Sequence, residues 1–301
     1  MKIVALAMKI INGGTVLMKI GLVLSGGLAK GAYQVGALRA ISEYFKPGEI
    51  EYISSSSVGA LNAYAYATDS LDTAERMWLE LTPAGEKKLV TKVMKSDYLK
   101  ECTASLAEKR PLTKKQYISV FRLKEMDVLY VDVSKKDEEE TDLFLRAAVA
   151  IPVFSHAVKI NGKKYYDGGT IDNIPVYPLV SLDLDYIICI YFDEYNYSFE
   201  APGFDDRIIK ITFNDNEKIM SNSLWFTREG TEKMMADGYS RAKEVLELVL
   251  ADGKENVEKV KEHVRELDAQ NPDKKLRVTV DVAINNLNKM MKLISRREIV
   301  D

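Results

Sequence analysis

Residues that often carry chemistry or cross-links are scarce in this chain. Among 301 residues there are two cysteines, Cys102 and Cys189, and two histidines, His156 and His263. Two cysteines build no disulfide framework, which fits a reducing, cytoplasmic compartment. Cys189 falls in an apolar run and reads as a small buried hydrophobe. No zinc-ligand spacing and no EF-hand loop occur, so neither a metal nor another cofactor is expected. An excess of positive charge is also missing. A net charge of −3 with no strongly basic block argues against nucleic acid as a partner. No apolar run approaches the roughly 18 residues of a membrane span. Lys2, Lys9 and Lys19 break the N-terminus into stretches too short for a signal-peptide core.

What is present is an alternation of strand-like and helix-like segments. Apolar, β-branched runs at 20–24, 50–54, 128–133, 185–192 and 207–213 read as strands. Helical periodicity appears at 31–46, 58–68, 71–81, 139–149 and 229–250. Such alternation predicts an α/β protein with a mainly parallel central sheet and helices on both faces. The charged stretch 82–125 reads as helices capping a site. The run Lys135 to Glu140 reads as a solvated helix start. Met8-Lys9-Ile10 and Met18-Lys19-Ile20 echo Met1-Lys2-Ile3. Residues 1–17 are therefore either an added hairpin or an extension upstream of a functional start at Met18. The main domain is expected over 18–250 and a helical C-terminal appendage over 251–301. In that appendage Glu255 to Leu267 is charged and amphipathic, with His263 reading as solvated surface, and a basic amphipathic helix is expected from Val280 to Arg297. That second helix packs on the main domain or lies on an anionic membrane surface.

Three segments carry candidate chemistry. The first is Ile50 to Ala63, IEYISSSSVGALNA. A short buried strand runs into small residues and then a helix. A strand turning sharply into a helix lifts the residue at the bend above the sheet, with helix N-terminal amides behind it. Ser57 stands two residues before Gly59, as in the G-x-S-x-G elbow, with Ser55 in the place of the first glycine. The plain alternative is a serine-rich turn.

The second segment is Ile20 to Gly36, IGLVLSGGLAKGAYQVG. Gly26, Gly27 and Gly31 make a glycine-rich turn that points backbone N–H groups at one spot, a geometry suited to an anion. A Walker A loop needs Gly-Lys followed by Ser or Thr, and here Lys30 precedes Gly31. A dinucleotide fingerprint needs glycine where Leu28 stands. An oxyanion hole remains, or a tight turn without a ligand. In the third segment, Ala157 to Pro175, two short strands flank Asn161-Gly162, a strong hairpin signal. They deliver Asp167 to the pair Gly168-Gly169, which leaves its carboxylate free to aim at a partner or simply ends the hairpin in an Asx turn.

In chain order these strings, GGLAKG, SSSVG and DGG, resemble the patatin-like phospholipase family, whose pattern is G-G-G-x-K/R-G, G-x-S-x-G and D-G-G. The flanks GALNA, RAAVAIPVF, DNIPV and DYIICIYFD are similar too, and the resemblance covers roughly residues 18 to 250. It implies a patatin-like fold related to the α/β-hydrolases. It implies a lipid acyl hydrolase, with phospholipid or another lipid ester as substrate, peripheral contact with a membrane, and no cofactor. It further implies a Ser57–Asp167 dyad working without histidine through an acyl-enzyme. Gly26, Gly27 and Leu28 would form the oxyanion hole, Lys30 and Gly31 would position the loop or a phosphate, and Ser55 and Gly59 would shape the elbow. The rival arrangement is a Ser57–His156–Asp167 triad. Leu28 and Ser55 depart from the pattern. They motivate a second expectation, a weakened patatin-like protein that binds lipid or a partner without turnover.

Overall fold

The strand β1, Ile20–Leu24, is buried along its whole length, and its side chains divide between two faces of a sheet. Leu22 and Leu24 join one apolar cluster, while Val23 between them joins another, as the two-residue repeat of a strand requires. A computed structural model describes residues 18–46, 48–81, 84–89, 92–93, 97–108, 111–112, 114–152, 154–192, 205–212, 225–270 and 295–301. The N-terminal extension, 1–17, lies outside these.

After β1 come α1 (Gly31–Tyr44), β2 (Ile50–Ser55), α2 (Val58–Ala67) and α3 (Leu71–Glu80). They are followed by β3 (Lys88–Leu89), α4 (Asp97–Ala107), β4 (Lys115–Arg122), β5 (Asp127–Asp132) and α5 (Glu138–Ala148). The hairpin β6 (Val158–Ile160) and β7 (Lys163–Asp167) leads to a short α6 (Tyr177–Val180) and to β8 (Tyr186–Tyr191). Then come β9 (Ile208–Thr212), β10 (Trp225–Phe226), α7 (Arg228–Val249), α8 (Val257–Gln270) and β11 (Arg296–Val300).

The main sheet runs in the order β11-β5-β4-β2-β1-β8-β9, with β7 joined to β4 and β6 to β7. Pairing is parallel for β11 with β5, β2 with β4, β1 with β2 and β8, and β8 with β9. It is antiparallel for β4 with β5 and β7, so the sheet is mixed but mainly parallel. Helices α1 to α5, α7 and α8 supply apolar side chains to the two clusters on one face. The segment Ile171 to Leu184, with α6, covers the other. Where α1 crosses α7 the backbones touch. A Cβ on Gly36 would lie 1.8 Å from the Met235 carbonyl oxygen, and one on Gly238 would lie 2.0 Å from that of Tyr33.

Three expectations need correction. The stretch 82–125 is not a helical cap throughout. It contains α4, which is packed into the core through Leu106 and Ala107, and β4, an interior strand of the sheet. In β4 the apolar alternation is interrupted by Gln116 and Ser119, both fully buried. Most of the helix expected over Val280 to Arg297 lies outside the described residues, but Arg296 and Arg297 belong to a strand. His263 is not a solvated surface residue. It is half-buried on α8, with Nδ1 3.1 Å from the Val249 carbonyl oxygen at the end of α7.

Candidate active site

The elbow is built where β2 ends. Ser57 has φ 51° and ψ −137°, a conformation that side chains with a Cβ adopt only under constraint. It occupies the N-cap of α2 yet makes no side-chain capping bond, so its hydroxyl is available for another partner. Gly59 allows α2 to start so close to β1. A Cβ there would lie 2.6 Å from the Ser25 carbonyl oxygen and 2.8 Å from that of Leu24.

The run of serines is resolved by hydrogen bonding. Ser55 Oγ donates to the Tyr117 carbonyl at 3.2 Å and is buried, so the residue in the first-glycine position is a satisfied part of the sheet. Ser56 Oγ donates to the Asn173 carbonyl at 2.7 Å and accepts from Gly26 N–H at 2.9 Å. The Ser57 hydroxyl lies close enough to the Asp167 carboxylate to lower its affinity for protons.

Asp167 is positioned by backbone pairing. It ends β7 opposite Val120 of β4, and its N–H donates to the Ala150 carbonyl at 2.9 Å. Its carboxylate accepts from Gly169 N–H at 2.8 Å, and the residue is 2% exposed. Burial pushes the carboxyl up to about 7, against the opposing pull of the Ser57 hydroxyl and the Gly169 N–H. A carboxylate with that affinity for protons is a competent base near neutral pH. His156 is exposed, and among the described residues no hydrogen bond or ion pair joins it to Ser57 or Asp167.

The glycine loop abuts the serine. A Cβ on Gly26 would lie 2.7 Å from Ser57 Cβ, and one on Gly27 would strike the Phe192 ring at 2.3 Å. Gly26 N–H is already committed, to Ser56 Oγ and, at 3.2 Å, to the Asn173 carbonyl. Among the described residues the N–H groups of Gly27 and Leu28 make no hydrogen bond. Leu28 opens a 3₁₀ turn, Leu28–Lys30, with φ 51°, so a leucine holds a backbone conformation natural to glycine. Lys30 is half-buried at the end of that turn, and Gly31 starts α1.

Ser56 and Asn173 were not singled out from sequence, yet they tie the three segments together. Asn173 Nδ2 also donates to the Gly26 carbonyl, at 3.3 Å. The only sequence signal was the placement of Asn173 in DNIPV, just after the double glycine. Among the described residues no group of three or more His, Cys, Asp or Glu side chains is placed to hold a metal. None of the described helices is long and apolar enough to cross a membrane.

A serine on a strained strand-to-helix turn, close to a buried carboxylate and to loop amides that pair with nothing among the described residues, fits the class of α/β acyl hydrolases. The chain belongs to the patatin-like phospholipase family, whose model matches residues 22–180, more than half of its length and all three motifs. Membership implies lipid acyl hydrolase activity on lipid substrates. Among solved structures, VipD from Legionella pneumophila aligns with 13% identity and a TM-score of 0.49, over 77% of this chain and 67% of that one. The type III effector ExoU aligns with 13% identity and a TM-score of 0.39, over 89% of this chain and 68% of its own. At these scores the likenesses carry no functional argument. No curated protein matches the sequence.

Proposed function

We propose that the protein is a serine acyl-ester hydrolase acting on phospholipids or related lipid esters through a Ser57–Asp167 dyad. The observation that carries this reading is the juxtaposition of Ser57, held at positive φ, with a carboxylate that burial has made basic. In this mechanism Asp167 takes the proton from Ser57 Oγ as the oxygen attacks the ester carbonyl. The tetrahedral oxyanion is received by the N–H groups of Gly27 and Leu28, since that of Gly26 is spent on holding the loop. Asp167 then gives the proton to the departing alcohol. Water enters, loses a proton to the same carboxylate and attacks the acyl carbonyl, and Asp167 returns that proton to Ser57 Oγ as the carboxylic acid departs. Peripheral contact with a lipid surface follows from the substrate class.

The deciding experiment is labelling with a fluorophosphonate, followed by peptide mapping. Capture at Ser57 with loss of nitrophenyl-ester hydrolysis, and the absence of both in a folded Ser57→Ala variant, is the expected result. A folded wild-type protein that neither labels nor hydrolyses would favour the second reading, lipid binding without turnover, to which the strained Leu28 gives its physical motive.

A further inference from the structure

The glycine loop is held at both ends by a buried polar chain that contributes nothing to the dyad. Trp78 on α3 donates from Nε1 to Asn62 Oδ1 on α2 at 2.8 Å. Asn62 Nδ2 donates to the Gly31 carbonyl at 2.8 Å and to Gln34 Oε1 on α1 at 2.9 Å. Gln34 Nε2 donates to the Ser25 carbonyl at 2.8 Å. Gln34 and Asn62 are completely buried, and Trp78 is 2% exposed. The chain therefore grips the carbonyls of Ser25 and Gly31, the residues that bracket the loop. The indole also packs on its far end, where a Cβ on Gly31 would meet the ring at 2.3 Å.

The direction of this chain is fixed by chemistry. An indole nitrogen only donates, so the oxygen of the Asn62 amide faces Trp78 and its nitrogen faces Gly31 and Gln34. Gln34 Oε1 must then accept, which turns its Nε2 toward Ser25. One donor on α3 thus sets the orientation of two amides and, through them, two loop carbonyls. Each peptide plane is rigid, so the anchored Ser25 carbonyl fixes the Gly26 N–H directly, and the Gly27 and Leu28 amides must bridge from that fixed plane to the second anchor at Gly31. A satisfied buried network of this kind specifies one arrangement, because each member left alone would carry a large desolvation cost.

We infer that Gln34, Asn62 and Trp78 are positioning residues that aim the Gly27 and Leu28 amides at the acyl oxyanion. The role rests on the acyl-hydrolase reading of Ser57. It places the determinants of transition-state binding on three helices remote from the ester.

The test uses Gln34→Met, which keeps length and apolar volume, and Trp78→Phe, which keeps an aromatic ring but removes the donor. Turnover is expressed per site titrated with fluorophosphonate, so that unfolded protein does not count. Losing one oxyanion donor outright costs on the order of 10²–10³ in kcat, so donors left in place but mis-aimed should cost about 10–100-fold. KM should stay within about twofold, and the pH midpoint of activity should not move, because Asp167 is untouched. Hydrogen exchange of peptides spanning Ser25 to Gly31 should accelerate about tenfold or more, an expectation independent of turnover. Unchanged kcat per site together with unchanged loop exchange in both variants would overturn the inference. If the wild-type protein neither labels nor hydrolyses, the hydrolase reading fails by itself. Exchange then decides whether the network holds the loop: acceleration supports that hold, and no change refutes it.

Discussion

Replacing Asp167 by Asn should stabilise the protein at alkaline pH while abolishing its activity. The carboxyl rises from 3.8 to about 7 on folding because it is buried. Between those values the native state holds a proton that the unfolded chain has released. Stability from this group is therefore fully present below pH 4, declines as pH rises, and levels off above pH 7. At 1.36 kcal/mol per unit the whole decline is about 4 kcal/mol, of which roughly 1.5–2 kcal/mol has occurred by pH 5. Water entry and relaxation would make the measured figure smaller. Asparagine keeps the shape and an oxygen for Gly169 N–H but never ionises. The advantage of Asp167→Asn over wild type should thus grow by about 2–3 kcal/mol between pH 5 and pH 8. Urea denaturation of both proteins at the two pH values measures it, and taking the difference cancels every other titrating group. The same proton governs catalysis, so wild-type kcat should rise with pH through a single midpoint near 7. A variant whose advantage is the same at pH 5 and pH 8, or a wild-type rate already flat from pH 5, would refute the argument.

The remaining expectations concern neighbours of the dyad. Leu28→Gly should leave kcat within about threefold, because the Leu28 N–H makes no hydrogen bond among the described residues and is free to donate. Its stability should change little, since about 1–2 kcal/mol released from the left-handed backbone is offset by lost packing and added chain entropy. A rise in kcat of about 100-fold would instead show that leucine withholds an oxyanion donor. His156→Ala should keep kcat within about twofold on a nitrophenyl ester. A loss matching that of Asp167→Asn, in a folded protein, would replace the dyad by a triad.

The local features of the site were legible in the amino-acid sequence because turn chemistry is local. A strand that must bend within two residues into a helix needs Gly59, whose missing side chain admits the β1 carbonyls. The same holds for the glycine loop and for the turn after Asp167. The five core strands read from apolar runs were legible for a similar reason, since strands covered on both faces carry side chains that water would reject. Strand β4 was not. Gln116 and Ser119 make it look amphipathic and solvated, and only the fold buries them, with the Ala60 carbonyl and Ser55 Oγ accepting from Gln116. Strand β11, mostly exposed, exists through pairing with β5. Neither the partner of Ser57 nor the basicity of Asp167 could be read from composition or spacing. Residues 110 positions apart in the chain meet because β7 docks on β4, and the carboxyl becomes basic because that docking removes it from water. The sequence by itself determined which backbone turns were possible, through steric rules acting over a few residues. Tertiary structure alone decided which side chains those turns bring together and how dry they are, because burial is a property of neighbours remote in the chain.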